Sequence, residues 1–303
     1  MIDTGELLKL AVCPACKASL QTFTGCSRCG SVFTDVDGTP ALIPLGIHRR
    51  VEFDYPANRS IATDRFKACL KYPPRSATAR RELPHRLDPA HLHVIERLGR
   101  GSTILEIGCG GGQMRPWLES KGHRYIGTDI SKTRVPAHLQ AYGGPDLLCD
   151  AHFLPFANDL FDLVYSAALT EHLACPYLVA QEVYRALKPG GVYLGNVSFL
   201  EPWHDDSFFH MTPMGVFETL TQAEFDIDYI WPGWGYGGYR ATVAMGNRFT
   251  KPLAFLGQLM HLHYQSGNRL RDLAKRLLRR EVADGILDDA RVAGAIDWIA
   301  TRR

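Results

Sequence analysis

From residue 103 to 245, short apolar and β-branched runs alternate with stretches whose apolar positions return every three or four residues. That alternation predicts strands linked by helices in an α/β, doubly wound sheet. The first strand run is Thr103–Ile107, and four of the next five positions (108, 110, 111 and 112) are glycine. The strand must end there, and a helix is predicted near 113–120. A second strand reads over 124–131, apolar runs follow at 147–156 and 160–166, and a further strand covers 192–199. Then come a helix over 213–223, a strand over 225–231 and a returning strand over 241–245. A helix over 89–98 precedes the first strand. Near the N-terminus, 31–33 and 39–44 read as strands around the turn 35–38. Beyond the last strand, 253–262 is apolar almost all round and 270–280 is amphipathic with a basic face, two helical patterns in a C-terminal tail. The chain is thereby divided into a small module (1–46), a connector (47–90), an α/β domain (91–246) and a helical extension (247–303).

Length agrees with that division, since one doubly wound domain fills only about half of 303 residues. The formal net charge is +2, and no run of eighteen apolar residues occurs, so no integral membrane segment is expected. Met1 to Glu6 carries acids where a signal peptide would carry basic residues, and a cytoplasmic location is expected. Residues 45–100 hold twelve Arg or Lys against six acids, including the pair Arg80 and Arg81. These cations are scattered among proline and apolar positions with no ladder of aromatics, which favours a solvated surface over an RNA-binding arm.

Four of the eight cysteines stand as Cys13-Pro14-Ala15-Cys16 and Cys26-Ser27-Arg28-Cys29, two C-x-x-C knuckles nine residues apart. In a reducing compartment such pairs are better explained by one tetrahedral Zn²⁺ than by disulfides, with a dithiol redox role as the alternative. The pattern C-P-x-C, C-x-x-C-G and D-G-x-P resembles the zinc ribbons that accompany tRNA methyltransferases. With every coordination position filled by cysteine, the expected ion is structural rather than catalytic. Cys69, Cys109, Cys149 and Cys175 have no ligand spacing, and core filling is expected of Cys109 and Cys149.

The glycine loop has the spacing G-x-G-x-G from Gly108 through Gly110 to Gly112, with Gln113 where a dinucleotide fold would have its third glycine. With Glu106 just ahead, it resembles motif I of the class I S-adenosylmethionine-dependent methyltransferases. An acid at the end of the second strand, Asp129, can accept both hydroxyls of a ribose; capping the next helix is the alternative. Further on come Asp150 followed by Leu154-Pro155-Phe156, then Phe161-Asp162-Leu163-Val164, Glu171-His172-Leu173 and Leu187-Lys188-Pro189-Gly190-Gly191. That order is similar to the small-molecule methyltransferase group that includes the ubiquinone and menaquinone methylases. The resemblance covers residues 95 to 245 and implies a seven-stranded Rossmann-like sheet whose last strand is antiparallel. It also implies that Glu106 and the glycines hold the methionine end of the cofactor, and that Asp150 bonds the adenine amino group beside Ala151 and His152. Cys109 in the loop, Ile130 beside Asp129, and Ser166 at the end of its strand run complete the implied cofactor set.

The segment from Glu201 to Pro213 lies beyond the carboxyl end of a strand, where an open α/β sheet places its substrate. Methyl transfer from a sulfonium needs alignment and, for a hydroxyl acceptor, removal of a proton. His204, Asp205, Asp206 and His210 are candidates for that proton, with His172 behind them. Turn-forming roles and a substrate lid are the alternatives. Trp234, Tyr236 and Tyr239 could line an acceptor pocket. The tail helices could rest on a membrane or a lipid-linked substrate, though packing on the main domain or in a homodimer is the commoner outcome. The expected function is methylation of a small-molecule hydroxyl on a sugar or natural-product scaffold. One alternative is RNA methylation, since a cysteine module ahead of motif I resembles the ribosomal-RNA guanine methyltransferases. Another is a non-catalytic partner protein.

Overall fold

In a computed structural model, the described residues are 2–52, 63–78, 84, 87–133, 142–204, 206–233, 243, 249–280 and 285–303. Their elements run α1 (Thr4–Leu10), β1 (Thr34–Val36), β2 (Thr39–Ala41), α2 (Thr63–Cys69), α3 (Pro89–Ile95), β3 (Thr103–Ile107), α4 (Arg115–Ser120), β4 (Arg124–Asp129) and β5 (Leu147–Leu148). There follow β6 (Phe161–Ser166), α5 (Pro176–Ala186), β7 (Leu187–Ser198), α6 (Pro213–Gln222), β8 (Asp226–Pro232), α7 (Ala254–Leu277), α8 (Gly285–Ala290) and β9 (Ala295–Thr301). The strands form one nine-stranded sheet in the order β1-β2-β5-β4-β3-β6-β7-β9-β8. β3, β4, β5, β6 and β7 pair parallel, and Ile104, Leu105, Leu163 and Val164 are buried. Continuous apolar strands of this kind are what a parallel sheet covered on both faces demands.

Nine strands stand where seven were expected. Seven of them run from β5 through β8 in the sheet order, and the N-terminal hairpin adds two more on the β5 edge. Ala41 pairs with Leu148, and Leu42 N–H donates to Leu148 O at 2.8 Å. Asp37 and Gly38 both have positive φ (49° and 77°), the signature of a tight primed hairpin turn, and Asp35 accepts from Gly38 N–H.

The returning antiparallel strand is also corrected: it is β9, at 295–301, and it pairs with β7 on one side and β8 on the other. Of the expected strand 241–245, only Val243 lies within the described residues. The sheet therefore takes its seventh partner from what was read as a purely helical extension, and α7 and α8 are an insertion between β8 and β9. Trp298 packs across Gly195, where a Cβ would lie 2.2 Å from Trp298 Cζ2, so glycine is required there. The two helical patterns of the tail are one helix, because α7 continues through Gly267. A single glycine costs a helix only about 1 kcal/mol.

The cysteine module shares the core of the main sheet, since Leu7, Cys13, Leu20, Phe33 and Leu42 belong to the same buried cluster as Leu92 and Ile104. Its docking surface is Leu154-Pro155-Phe156. Val12 N–H donates to Pro155 O, Ala11 bridges Phe156, and Lys17 Nζ donates to Leu154 O. Beneath this seam lies Glu182, fully buried, with Lys17 and Arg185 each at 2.8 Å and Arg49 on its other oxygen. Burial alone would push its carboxyl up, but hydrogen bonds and charge from Arg185 and Lys17 hold it down to about 2. A depressed carboxyl contributes stability above its ordinary value of 4.5 and loses it as pH falls from there toward about 2. Wild-type melting temperatures should therefore drop steeply across that acid window. The Glu182→Gln protein should start roughly 3 kcal/mol less stable and show a flatter acid limb. Parallel acid limbs would contradict this role.

Candidate active site

A cavity of about 750 Å³ opens at the carboxyl ends of β3, β4 and β5. Its floor is the glycine turn. Gly108 and Gly110 have φ of 71° and 54°, a conformation that side chains with a Cβ rarely adopt, and a Cβ on Gly108 would lie 3.0 Å from Leu169. Asp129 ties this turn to β4: Oδ2 accepts from Gly110 N–H at 2.9 Å, while Oδ1 accepts from the N–H groups of Ile130 and Ser131. Its carboxylate thus holds the backbone on both sides of the turn and lies on the cavity wall.

Asp150 ends the next strand connection on the same wall. Its Oδ1 accepts from His152 N–H at 2.9 Å and lies 2.6 Å from His152 Nδ1. Against the upward push of burial, these bonds hold its carboxyl below the ordinary range. Cys175 N–H donates to His152 Nε2, so the ring's proton sits on Nδ1 and points at Asp150. His152 is therefore a fixed wall and a brace for α5 rather than a mobile base.

Of the cofactor set implied by the sequence, Gly108, Asp129, Ile130, Asp150, Ala151 and His152 line the cavity. Glu106, Cys109, Gly110, Gly112 and Ser166 are not part of that wall. Glu106 is buried and accepts from the Tyr125 hydroxyl. Burial pushes the Cys109 thiol well up. Gly112 packs against Gly144 O, and Ser166 is buried with its hydroxyl on Tyr193. Both side chains are spent inside the protein, Glu106 on the Tyr125 hydroxyl and Ser166 on the Tyr193 hydroxyl.

Across the cavity the wall is made by 168–169, 172–174, Asp206 and Phe208. Among the proton acceptors considered, His172 and Asp206 reach it. The His172 ring lies edge-on to His204 at 5.6 Å, and His204 lies 5.7 Å from His210. His210 Nε2 meets Ser207 Oγ, and Asp205 lies outside the described residues, as do Trp234, Tyr236 and Tyr239. Sequence reading passed over Leu169 and Phe208, apolar residues with no chemistry to advertise them, and Glu171, whose place in Glu171-His172-Leu173 was its only signal.

Residues 105–195 match the family described as Methyltransferase domain. The match runs from β3 to the middle of β7, so the matched stretch contains Asp129, Asp150 and His172, while the hairpin, α7 and β9 lie beyond it. An uncharacterized methyltransferase of Mycobacterium leprae (strain TN) is 31% identical over 107 residues, 34% of this chain and 40% of that protein. The 24-methylenesterol C-methyltransferase 2 of Oryza sativa subsp. japonica is 37% identical over 103 residues, 31% of this chain and 28% of that protein. The chain thus spans less than half the length of these curated relatives. Among solved structures, the Haemonchus contortus phosphoethanolamine N-methyltransferase 2 in complex with S-adenosyl-L-methionine aligns over 70% of this chain and 51% of its own, with a TM-score of 0.45 and 18% identity.

Outside the matched stretch, the four knuckle cysteines converge. Cys13 and Cys29 sulfurs lie 3.6 Å apart, Cys16 and Cys26 likewise, and all four fall within 4.8 Å of one another. Disulfides would bring sulfurs to about 2.05 Å. A tetrahedral ion with bonds of about 2.3 Å would hold them roughly 3.8 Å apart, close to what is observed. The Cys13 thiol is pushed up to about 12 by burial, whereas bonds from Ser31 draw Cys29 down to about 6.

Proposed function

We propose that this chain transfers a methyl group from S-adenosylmethionine to a hydroxyl of a small molecule such as a sugar or natural-product scaffold. The observation that carries the reading is the pairing of Asp129 and Asp150 on one wall of a cavity floored by a glycine turn. Asp129 would hold the ribose hydroxyls and Asp150 the adenine amino group, with Ile130, Ala151 and His152 against the base. Bound there, the cofactor supplies a methyl group already activated by the sulfonium charge. The protein's own task is then to orient the acceptor and draw off its proton. His172 lines the acceptor side, with His204 behind it and His210 next, and Phe208 and Leu169 give that side its apolar surface.

A cavity of this size falls within the range of roughly 300–1,000 Å³ that takes a small ligand whole. RNA is the less favoured acceptor: the connector's Arg49 is tied to the buried Glu182 and Arg75 to Asp88, and no aromatic ladder accompanies the remaining cations in sequence. In the same reading, Cys13, Cys16, Cys26 and Cys29 hold a structural Zn²⁺ that supports the fold of the N-terminal module.

Calorimetric titration with S-adenosylhomocysteine and S-adenosylmethionine tests the cofactor. Saturable heat is expected, and its absence in protein free of co-purified nucleoside would sink the proposal. Label from methyl-tritiated cofactor should then enter hydroxylated small molecules. Transfer into RNA alone would move the acceptor assignment.

A further inference from the structure

We propose that Glu171, His172 and His204 form a second metal site, for a divalent transition ion, at the acceptor edge of the cavity. Each offers one ligand atom, and these atoms lie within 4.8 Å of one another. Glu171 is 0% exposed; its Oε1 accepts from Ser198 Oγ, whereas Oε2 has no hydrogen-bond partner among the described residues. His172 Nδ1 is buried and equally unmatched among the described residues. A buried carboxylate oxygen and a buried imidazole nitrogen without protein partners are both costly, and one ion would satisfy the two together.

His204 is already in the tautomer a metal needs. Its Nδ1 faces Pro202 O at 2.8 Å; a carbonyl only accepts, so Nδ1 carries the proton and Nε2 keeps its lone pair. A second carboxyl group stands close by. The one hydroxyl proton of Ser198 serves both Glu171 at 2.8 Å and Glu201 at 2.6 Å.

Two imidazoles and a carboxylate suit Zn²⁺ and its neighbours rather than Mg²⁺ or Ca²⁺. Zinc bonds of about 2.0–2.1 Å would set the ligand atoms roughly 3.3 Å apart, so the site closes by rotation of the partly exposed His204. Three protein ligands leave a position for water or for an acceptor oxygen arriving through the cavity that His172 lines. That role rests on methyl transfer to a hydroxyl; binding of the ion does not.

The test is Zn²⁺ titration of the full chain after EDTA treatment, with metal content counted by mass spectrometry. Wild type should take up one equivalent more than His204→Ala or Glu171→Gln, and the difference should persist with S-adenosylhomocysteine bound. Cobalt in this equivalent should show no sulfur-to-metal charge-transfer band, which separates it from the cysteine cluster. Equal uptake by wild type and both variants would overturn the proposal, as would a sulfur band on the added cobalt. Should Glu171→Gln fail to fold, His204→Ala alone decides, since it removes a loop side chain.

A separate observation concerns α7. Its inward face is polar, with Tyr264 bonded to Asp288 O and Arg271 paired to Asp288. Phe255, Leu259, Leu262, Leu270, Leu273 and Leu277 form an outward stripe in which each is more than half exposed. Exposed Arg269 and Arg276 edge the stripe. We infer that this face lies on an anionic phospholipid surface, its leucines in the headgroup boundary and its arginines on phosphates. The full chain should sediment with phosphatidylglycerol vesicles and about tenfold less with phosphatidylcholine alone. Both Leu259→Ser/Leu262→Ser and Arg269→Glu/Arg276→Glu should abolish the difference, with unchanged circular dichroism. No sedimentation, or a dimer in solution that Leu259→Ser dissociates, would overturn it.

Discussion

A chain ending at residue 294 is expected to lose cooperative folding altogether. β9 is paired along its length with both β7 and β8, so its loss opens two strand edges at once. Ile296, Trp298, Ile299 and Ala300 are buried, and Trp298 O accepts from the buried His91 Nε2. Burial of the three large side chains alone contributes roughly 2–3 kcal/mol each. Together they reach the whole stability of many domains, about 5–15 kcal/mol. Urea denaturation followed by circular dichroism should show no cooperative transition for the truncated protein. Removing only Arg303, whose partner is the exposed Asp226, should leave the transition nearly unmoved. A cooperative transition near the wild-type midpoint in the 1–294 protein would refute the role given to β9.

Replacing Asp129 with alanine should weaken S-adenosylhomocysteine binding about 100-fold or more, the equivalent of two charge-assisted hydrogen bonds. The carboxylate faces the cavity and also holds Gly110, Ile130 and Ser131 N–H groups, so its removal loosens the turn as well as the ligand contact. Asp129→Asn keeps one acceptor oxygen and should fall between. Glu106→Gln offers the contrast: its carboxylate takes the Tyr125 hydroxyl inside the protein, so the melting temperature should fall more than affinity. Titration calorimetry paired with thermal melts distinguishes these profiles. Equal affinity in wild type and Asp129→Ala would refute the assignment.

Local pattern carried much of this architecture. The glycine run fixed where β3 ends, because four glycines in five positions cannot continue a strand. Carboxylates at the ends of strands announced themselves as Asp129 and Asp150, and the knuckle spacing brought four sulfurs together. What local pattern does not encode is partnership across the chain. The stretch Ala-Ile-Asp-Trp-Ile-Ala-Thr reads as a strand by composition, yet nothing near it in sequence says that Gly195 left room for its tryptophan. Leu154-Pro155-Phe156 likewise gave no hint that its outer side receives the cysteine module. Glu106 and Ser166 sit in motifs that suggested contact with a ligand, but each is buried against a tyrosine hydroxyl that lies far away in sequence. The reversed polarity of α7 was hidden for a similar reason: an amphipathic pattern states that two faces differ, not which one meets the body.

The position of β9 also governs how the molecule can be made. Its partner β7 ends at Ser198 and β9 begins at Ala295, so their pairing closes a loop of about a hundred residues. A growing polypeptide emerging from the ribosome must carry β7 and β8 with exposed edges until that late segment arrives. Slow, non-local closure of this kind leaves the nascent protein open to mispairing with other chains, and makes chaperone protection most valuable just before synthesis reaches β9.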